Sequence, residues 1–290
     1  MENIPSKTFT EIREEISDEE LQSLTAAIKT RYGIDFTNYE TKSLKRGIAR
    51  LISKYNLGSL VGLWSKTLKD RDFFLSCIDD LLVNLTEMFR NPEIWIKIKT
   101  DLLEKIKLNS SIKVWHAGCS TGEEIYTMAI VLTHSRLYSK AEVTATDLSS
   151  QAMAKAMAGV YPQLLWKKYL SSFRQYFPDG KPEDYFKLEG EEIKINDSLK
   201  KNVTFQRHNL VQDRMSKKFD IIFCRNVMIY FDEVLKMKVL NLFYSCLEPE
   251  GYLIIGYYDM LPEAHKELFT LYDATTRIYK KKPVTPVAPK

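Results

Sequence analysis

The segment from Ile112 to Leu132 constrains the fold most strongly, because three different patterns follow one another within it. It begins as a short apolar strand, continues through small residues from Gly118 to Gly122, and shows apolar residues at helical spacing from Glu123 onward. This order predicts a strand, a tight turn and a helix. Glycines let backbone N–H groups approach a ligand, and the helix directs the positive end of its dipole to the same place, so the segment predicts a nucleotide-like ligand.

The residues of the turn narrow the choice of ligand. The turn contains neither the Gly-x-Gly-x-x-Gly pattern of a dinucleotide fold nor the Lys-Ser/Thr pair of a P-loop. Glu123 and Glu124 instead open the helix, where they would repel a pyrophosphate but could receive the ammonium group of an amino-acid-bearing nucleoside. S-adenosylmethionine (SAM) has such an ammonium group beside a sulfonium and contains no phosphate. The alternative is that both glutamates only complement the helix dipole.

Composition indicates a globular protein with one sizeable core and a smaller domain, since the chain has 290 residues, of which 44% are hydrophobic and 28% charged. No apolar stretch reaches the length of a membrane span, and the N-terminus lacks a signal-peptide core, so we expect a cytoplasmic protein without membrane insertion. The four cysteines are scattered without metal-ligand spacing, which predicts reduced thiols and no metal site.

A mild net charge of +4 gives no general affinity for nucleic acid. The basic residues also do not alternate with aromatic residues on any candidate binding sheet. We therefore expect no nucleic-acid partner, and we expect a monomer.

Residues 1–90 show helical patterns and no convincing strand, and they predict an all-α domain. Ser17 and Glu20 form a capping-box pattern, and Gly33 would end that helix. The helix predicted from Tyr39 to Asn56 has one apolar face and a second face of cations. Such a row is often only a solvated face, but no acid interrupts it, so an acidic partner surface is the sharper hypothesis. The cations of this row are Lys42, Lys45, Arg46, Arg50 and Lys54.

Residues 91–282 alternate between helix and strand, which predicts a parallel α/β sheet with ligands at its carboxyl edge. Two short strands near the end of this region, without a helix between them, predict an antiparallel hairpin at the sheet edge. The alternation breaks at about 160–201, where an aromatic helix and a small hairpin suggest a β-subdomain inserted in the sheet. Residues 283–290 are rich in proline and are expected to be a disordered tail.

Three polar segments follow predicted strands and supply candidate ligand contacts. Asp147 ends the second strand, where an acid commonly accepts the ribose hydroxyls of a nucleoside. Its alternative role is a helix N-cap, although Ser149 or Ser150 could serve as the cap instead. Asn209 and Leu210 follow the third strand and could frame an adenine.

The third polar segment follows the strand predicted from Phe219 to Cys224, which is apolar apart from Asp220. Arg225 and Asn226 are delivered to the carboxyl end of that strand, and Asp232 is expected to cap the next helix. A buried arginine needs a partner or water. The alternative to a functional role is therefore a structural salt bridge from Arg225 to Asp147 or Glu124.

Four motifs in this order resemble the chemotaxis-receptor methyltransferase (CheR-like) family, and the resemblance covers nearly the whole chain. The last of them, nine consecutive residues, is the most specific. The motifs are Asn84-Leu85-Thr86 with Phe89-Arg90, Ser120-Thr121-Gly122-Glu123-Glu124, Asn209-Leu210, and Phe223-Cys224-Arg225-Asn226-Val227-Met228-Ile229-Tyr230-Phe231.

The resemblance implies a Rossmann-like SAM methyltransferase sheet with a β-subdomain insertion, preceded by an all-α domain. It also implies esterification of glutamates on the cytoplasmic helices of chemoreceptors, with S-adenosylhomocysteine as the product. Arg90 and Arg225 would orient the carboxylate, and Tyr230 would lie beside the transferred methyl. The cofactor site implied by the motifs, together with the glycine turn, consists of Asn84, Thr86, Arg90, Gly118, Glu124, Asp147, Asn209, Leu210, Arg225 and Asn226.

The chain departs from the family pattern at two points. Ile125 stands where proline usually follows the glutamate pair, and Gly256-Tyr257-Tyr258-Asp259 replaces the usual Gly-His-Ser-Glu. The second departure leaves open another protein or a small carboxylate as the substrate. A non-catalytic SAM-binding adaptor is the alternative from a different functional class.

Overall fold

The computed structural model describes residues 16–81 and 86–283, which form two compact units. One unit comprises Met1–Asn84 with Ile229–Lys236, and the other comprises Leu85–Met228 with Met237–Lys290. The predicted site residue Asn84 and residues 284–290 of the predicted tail lie outside the described residues.

The described part of the first unit is helical, as the sequence predicts. Its helices are α1 (Asp18–Tyr32), α2 (Thr41–Lys54), α3 (Leu60–Lys69) and α4 (Arg71–Leu81). The predicted capping box at α1 is confirmed, because Ser17 Oγ accepts a hydrogen bond from Glu20 N and the Glu20 carboxylate accepts one from Ser17 N. Gly33 ends α1 in the left-handed conformation with a φ of 70°.

A glycine inside α2 allows it to pack closely against α4. A Cβ atom on Gly47 would overlap the terminal methyl group of Leu81, so a larger residue would force that side chain to move. The apolar face of α2 is buried, and its opposite face carries the predicted row of cations. The buried residues of that face include Leu44, Ile48, Leu51 and Ile52.

The segment Ile229–Lys236 belongs to the helical unit, although it follows a strand of the other unit in sequence. Glu40 N donates a hydrogen bond to Tyr230 O at 2.8 Å, and Asp232 N donates one to Asn38 O at 3.0 Å. The sequence did not predict this assignment, because it rests on pairing between residues about 190 positions apart.

The second unit contains a seven-stranded sheet in the order β6-β2-β1-β7-β8-β10-β9. The strands are β1 (Ile112–Ala117), β2 (Ala141–Asp147), β6 (Val203–Arg207), β7 (Phe219–Cys224), β8 (Leu247–Ile255), β9 (Phe269–Asp273) and β10 (Ile278–Lys281). The strands from β6 to β8 are parallel, and β10 is antiparallel to both β8 and β9, so the predicted edge hairpin is confirmed. Because β1 has β2 on one side and β7 on the other, the strand order reverses there, and a ligand crevice is expected at its carboxyl end.

The helices of the second unit agree with the predicted alternation, with one local difference. A turn of π-helix, Ile98–Leu102, interrupts the helical segment that precedes β1. The helices are α5 (Pro92–Lys97), α6 (Leu103–Ile106), α7 (Glu123–His134), α8 (Ser150–Ala158), α9 (Trp166–Tyr176), α10 (Glu233–Cys246), of which Met237 onward belongs to this unit, and α11 (His265–Leu268).

The insertion forms a separate three-stranded sheet and shares the core of the second unit. The predicted hairpin is confirmed as β4 (Phe186–Glu189) and β5 (Glu192–Ile195). A further strand, β3 (Val160–Pro162), pairs with β5 and was not predicted, because three residues ending in proline also fit a loop. Phe173 of α9 is fully buried and packs edge-on against Phe89, with 5.4 Å between ring centroids.

Candidate active site

The turn after β1 is held open by two glycines with positive φ, 80° at Gly118 and 94° at Gly122. The backbone N–H groups of Gly118 and Cys119 both donate to Thr146 O, at 2.8 and 2.9 Å, which fixes the start of the turn to β2. A Cβ atom on Gly118 would lie 2.5 Å from Val227 Cγ2. The turn therefore requires glycine for its conformation and for the close approach of the loop after β7.

Ser120 lies at the centre of this turn with a φ of 50°. Its backbone N–H donates to Asp147 Oδ2 at 2.7 Å. Its Oγ is buried and has no hydrogen-bond partner among the described residues. Buried hydroxyl groups normally form hydrogen bonds, so this Oγ is a group with which a bound ligand could form one.

Asp147 is not the N-cap of α8, because Ser149 Oγ accepts the hydrogen bond from Ala152 N at 2.9 Å. The prediction that a nearby serine caps this helix is confirmed. The Asp147 carboxylate instead accepts hydrogen bonds from Ser120 N and from Ser149 N, the latter at 2.9 Å. The predicted contact of Asp147 with a ribose stays a prediction.

The two adjacent glutamates of α7 have different partners, so they do not form one acidic site. Glu123 is buried, accepts hydrogen bonds from Tyr169 OH at 2.9 Å and from Thr121 Oγ1 at 2.7 Å, and is thus turned toward the insertion. Burial raises the pKa of its carboxyl group above the ordinary 4.5. Tyr161 OH also donates to Thr121 O at 2.8 Å, so two tyrosines of the insertion hold this end of the turn.

Glu124 is the carboxylate that lies at the carboxyl edge of the sheet. Its Oε1 is 2.9 Å from His116 Nδ1, and its Oε2 accepts from Arg225 Nη1 at 3.2 Å. Burial opposes ionisation of Glu124, but the hydrogen bond from His116 and the charge of Arg225 outweigh it, and the pKa lies below 4.5. Glu124 is therefore an ionised acceptor with 15% of its side chain exposed.

Arg225 forms the ion pair with Glu124 that the sequence left as an alternative. Its side chain is only 3% exposed, and Nη2 donates to Asn91 Oδ1 at 2.7 Å and to Arg90 O at 3.3 Å. Its Nε has no partner among the described residues. Both terminal nitrogens are thus engaged inside the protein, and the orientation of a substrate carboxylate by Arg225 stays a prediction.

Asn226 adopts the left-handed conformation with a φ of 60°, and Asp259 fixes it there. The Asn226 backbone N–H donates to Asp259 Oδ2 at 2.7 Å. Asp259 belongs to the loop Gly256-Tyr257-Tyr258-Asp259, which differs from the family pattern. In this loop, Tyr257 OH donates a hydrogen bond to a carboxylate oxygen of Glu93. Burial and the neighbouring Glu93 raise the pKa of Tyr257 to about 12.

The remaining predicted site residues of this unit are half-buried or buried. The Asn209 side chain is engaged locally, since its Oδ1 accepts from Val211 N at 2.9 Å and its Nδ2 donates to Gln212 Oε1 at 2.7 Å. Leu210 is buried, whereas Thr86 and Arg90 are half-buried in the segment before α5. A hydrogen bond from Asn209 to an adenine would have to use the second lone pair of Oδ1 or the second N–H of Nδ2.

The other predicted residues belong to the helical unit. Tyr230 is half-buried, and its backbone oxygen accepts the hydrogen bond from Glu40 N. The sequence suggested that no acid neutralises the cationic row on α2, and this is wrong for two of its residues. Lys45 pairs with Asp18 at 2.7 Å, and Lys54 pairs with Asp80 at 2.6 Å. Both acids belong to other helices, so the sequence of α2 alone could not indicate them. The exposed cations Lys42, Arg46 and Arg50 form the reduced row.

Sequence reasoning assigned no role to four residues that the structure brings to this site: Asn91, His116, Ser120 and Asp259. A signal existed for His116, since it is the polar residue in the otherwise apolar stretch from Val114 to Ala117. Asp259 was visible only as a departure from a family pattern. Ser120 belongs to one of the family motifs but was given no role there, and no local pattern indicates a role for Asn91.

The two units match two models of one protein family. The model described as CheR methyltransferase, SAM binding domain, matches residues 84–278. The chain belongs to the CheR methyltransferase family. A second model, CheR methyltransferase, all-alpha domain, matches residues 19–82. The family resemblance predicted from the motifs and the predicted fold class are therefore confirmed.

Relatives of similar length support the assignment to the CheR family. Cher3 of Pseudomonas putida is 30% identical over 266 residues, which are 91% of this chain and 97% of that protein. A protein named chemotaxis protein methyltransferase from Borreliella burgdorferi is 32% identical, with 92% and 95% of the two chains covered. One of the same name from Vibrio parahaemolyticus is 31% identical, with 83% and 89% covered.

This CheR-family chain is a SAM-dependent methyltransferase, and its residues fit the cofactor. The unpartnered Ser120 Oγ, the glycine at 118 and the carboxylates Glu124 and Asp147 provide the small turn and the acceptors that a sulfonium nucleoside needs. Among the described residues, no helix is long and apolar enough to cross a membrane, and no group of three or more potential ligands is arranged for a metal.

Proposed function

We propose that this chain forms γ-methyl esters on glutamate side chains of the cytoplasmic helices of chemoreceptors. The proposal is supported by membership of the CheR family and by relatives named chemotaxis protein methyltransferases. The observation that carries it is the ionised Glu124 carboxylate, fixed by His116 and Arg225 at the start of α7, with Asp147 at the end of the neighbouring strand. These two acceptors suit the amino-acid end and the ribose of one nucleoside.

Each cofactor contact follows from the chemistry of the side chain. Glu124 would receive the ammonium group, Asp147 the ribose hydroxyls, and Ser120 Oγ a further polar atom of the nucleoside. Asn209 and Leu210 would frame the adenine. When bound, SAM supplies an electrophilic methyl group on its sulfonium. The other residues proposed to line the site are Asn84, Thr86, Arg90, Gly118, Arg225 and Asn226.

The substrate glutamate needs no general base, because a carboxyl group with a pKa of about 4.3 is already ionised at neutral pH. The protein has to orient this carboxylate and exclude water, and orientation alone can lower a barrier by about 7–11 kcal/mol. Arg90 and Arg225 are proposed to orient the carboxylate, and Arg225 is also bonded to Glu124 and Asn91. Tyr230 is proposed to guide the approach of the carboxylate to the methyl group.

The reduced row on α2 is the proposed surface for the receptor. Lys42, Arg46 and Arg50 are exposed and project from one helix, where they would attract the acidic surface of a helical substrate. The two further cations of the predicted row, Lys45 and Lys54, are already paired with acids of the same unit, so their contribution would be smaller.

Methyl transfer from SAM labelled in its methyl group to a purified receptor fragment tests the proposal. The expected product is a methyl ester on the receptor that is released as methanol by mild base. Glu124→Gln should bind S-adenosylhomocysteine more weakly and lose turnover. Label that resists base, or no label on the receptor while another protein or a small carboxylic acid is methylated, would contradict the proposed substrate.

A further inference from the structure

We infer that His116 is a positioning residue, which fixes the carboxylate of Glu124 for the amino-acid end of the cofactor. This inference rests on the proposed role of Glu124. His116 lies inside β1, its side chain is fully buried, and its ring stacks on Phe223 with 4.6 Å between centroids and 11° between planes. The stacking holds the plane of the ring, and within that plane Nδ1 lies 2.9 Å from Glu124 Oε1.

The partners of the ring determine which nitrogen carries the proton. An ionised carboxylate can only accept hydrogen bonds, so Nδ1 must donate to Glu124. Nε2 is buried without a partner among the described residues. A bare ring nitrogen is tolerated at such a place more easily than a buried N–H group with no acceptor. The geometry therefore assigns the neutral ring with its hydrogen on Nδ1.

A neutral donor suits this position because Glu124 is already paired with one cation. Arg225 Nη1 holds Oε2, and the charges of the two side chains offset each other. A second cation beside Oε1 would leave the carboxylate less able to attract the ammonium of the cofactor. His116 fixes the orientation of the carboxylate and adds no charge, which leaves the exposed part of Glu124 available for the ligand.

Two nucleosides distinguish this role from a general contribution to folding. S-adenosylhomocysteine has the amino-acid end, whereas 5′-methylthioadenosine has the same adenosine and sulfur without it. His116→Phe keeps an aromatic ring on Phe223 and removes the donor. It should raise the Kd of S-adenosylhomocysteine about tenfold, which corresponds to one hydrogen bond to a charged group, and change that of methylthioadenosine less than about twofold.

Two further variants test the specificity of this effect. His116→Asn places an amide N–H where Nδ1 lies, and it should restore most of the affinity for S-adenosylhomocysteine. His134→Phe is a matched control, because it makes the same replacement at the far end of α7, about 16 Å along the helix axis. It should leave the ratio of the two affinities unchanged. Titration calorimetry measures each Kd.

A double-mutant cycle shows whether His116 acts through Glu124. In a Glu124→Gln background, His116→Phe should cause no further loss of S-adenosylhomocysteine affinity. Equal weakening of both nucleosides, or an undiminished loss in the Glu124→Gln background, would overturn the inference. Wild-type protein that binds methylthioadenosine as tightly as S-adenosylhomocysteine would instead refute the proposed role of Glu124, so the two failures are distinguishable.

Discussion

Asp259 joins two loops at the carboxyl edge of the sheet, because its Oδ2 accepts the backbone N–H of Asn226 at 2.7 Å and that of Gly256 at 2.8 Å. The residue is 1% exposed, so water cannot replace it as an acceptor. A Cβ atom on Gly256 would lie 2.8 Å from both Asn226 N and Asp259 Oδ2. The loop that departs from the family pattern thus supports the loop that carries Arg225 and Asn226.

Replacement of Asp259 by alanine should destabilise the protein, because two buried N–H groups lose their acceptor. We expect the free energy of unfolding to fall by about 2–4 kcal/mol, since each unsatisfied group costs about 1–3 kcal/mol. Urea denaturation measures this change. Tyr258→Ala is the matched control in the same loop, because Tyr258 is 77% exposed and should change stability by less than about 0.5 kcal/mol. Equal effects of the two variants would contradict the proposed support.

Glu123 and Glu124 should give opposite pH dependences of stability. Folding lowers the pKa of Glu124 below 4.5, so its contribution is present above that pH and is lost as the pH falls through the folded-state pKa. Burial raises the pKa of Glu123, so its ionisation costs stability as the pH rises from 4.5 toward the folded-state pKa. Urea denaturation should show wild type gaining stability relative to Glu124→Gln as the pH rises from the folded-state pKa of Glu124 to 4.5, and losing stability relative to Glu123→Gln as the pH rises above 4.5. Parallel curves would contradict the assignment.

Gly118→Ala should impair both folding and cofactor binding. The φ of 80° alone costs about 1–2 kcal/mol for a residue with a side chain, and the contact with Val227 adds to it. Val227→Ala in the same chain should recover only the part caused by this contact. Urea denaturation and the Kd of S-adenosylhomocysteine measure the two effects. Full recovery in the double variant would show that the conformation of the turn is not strained by alanine.

Removal of two cations from α2 should weaken receptor binding without affecting the cofactor. Arg46→Gln with Arg50→Gln is expected to raise KM for the receptor several-fold and to reduce its dependence on salt, since exposed charges act mainly on encounter. The matched control is Lys69→Gln with Arg71→Gln, which removes the same charge from exposed positions elsewhere in this unit. If both pairs change KM equally, the row on α2 has no special role.

Tyr230→Phe tests the role proposed for the hydroxyl group. The backbone contact of Tyr230 with Glu40 does not involve the side chain, so the segment should keep its structure. We expect kcat to fall at least about tenfold and the Kd of S-adenosylhomocysteine to stay unchanged, as for a group that acts in the transition state. Wild-type turnover would remove Tyr230 from the mechanism.

The alternation of strand-like and helical segments was sufficient to predict the parallel sheet, although polar residues such as Lys113 and Asp220 lie within its strands. The same pattern placed Gly118, Asp147 and Arg225 at one edge. It could not predict the partners of these residues, since contacts such as Arg225 with Asn91 join segments more than 130 positions apart.

The separation of Glu123 and Glu124 follows from helix geometry, as successive residues point about 100° apart. Which of them turns toward the insertion depended on the position of Tyr169, which the sequence did not indicate. The charge pattern of α2 failed for a similar reason. Asp18 and Asp80 neutralise part of it from other helices, and a single helix sequence contains no information about them.

The tyrosines of the insertion have a consequence for attempts to shorten this protein. Tyr161 and Tyr169 supply hydrogen bonds to Thr121 and Glu123, so the β-subdomain cannot be excised as an independent appendage. A deletion variant would keep every strand of the large sheet and yet uncover an acid at the base of the glycine turn. A chimera that exchanges this subdomain between relatives would have to carry both phenols with it.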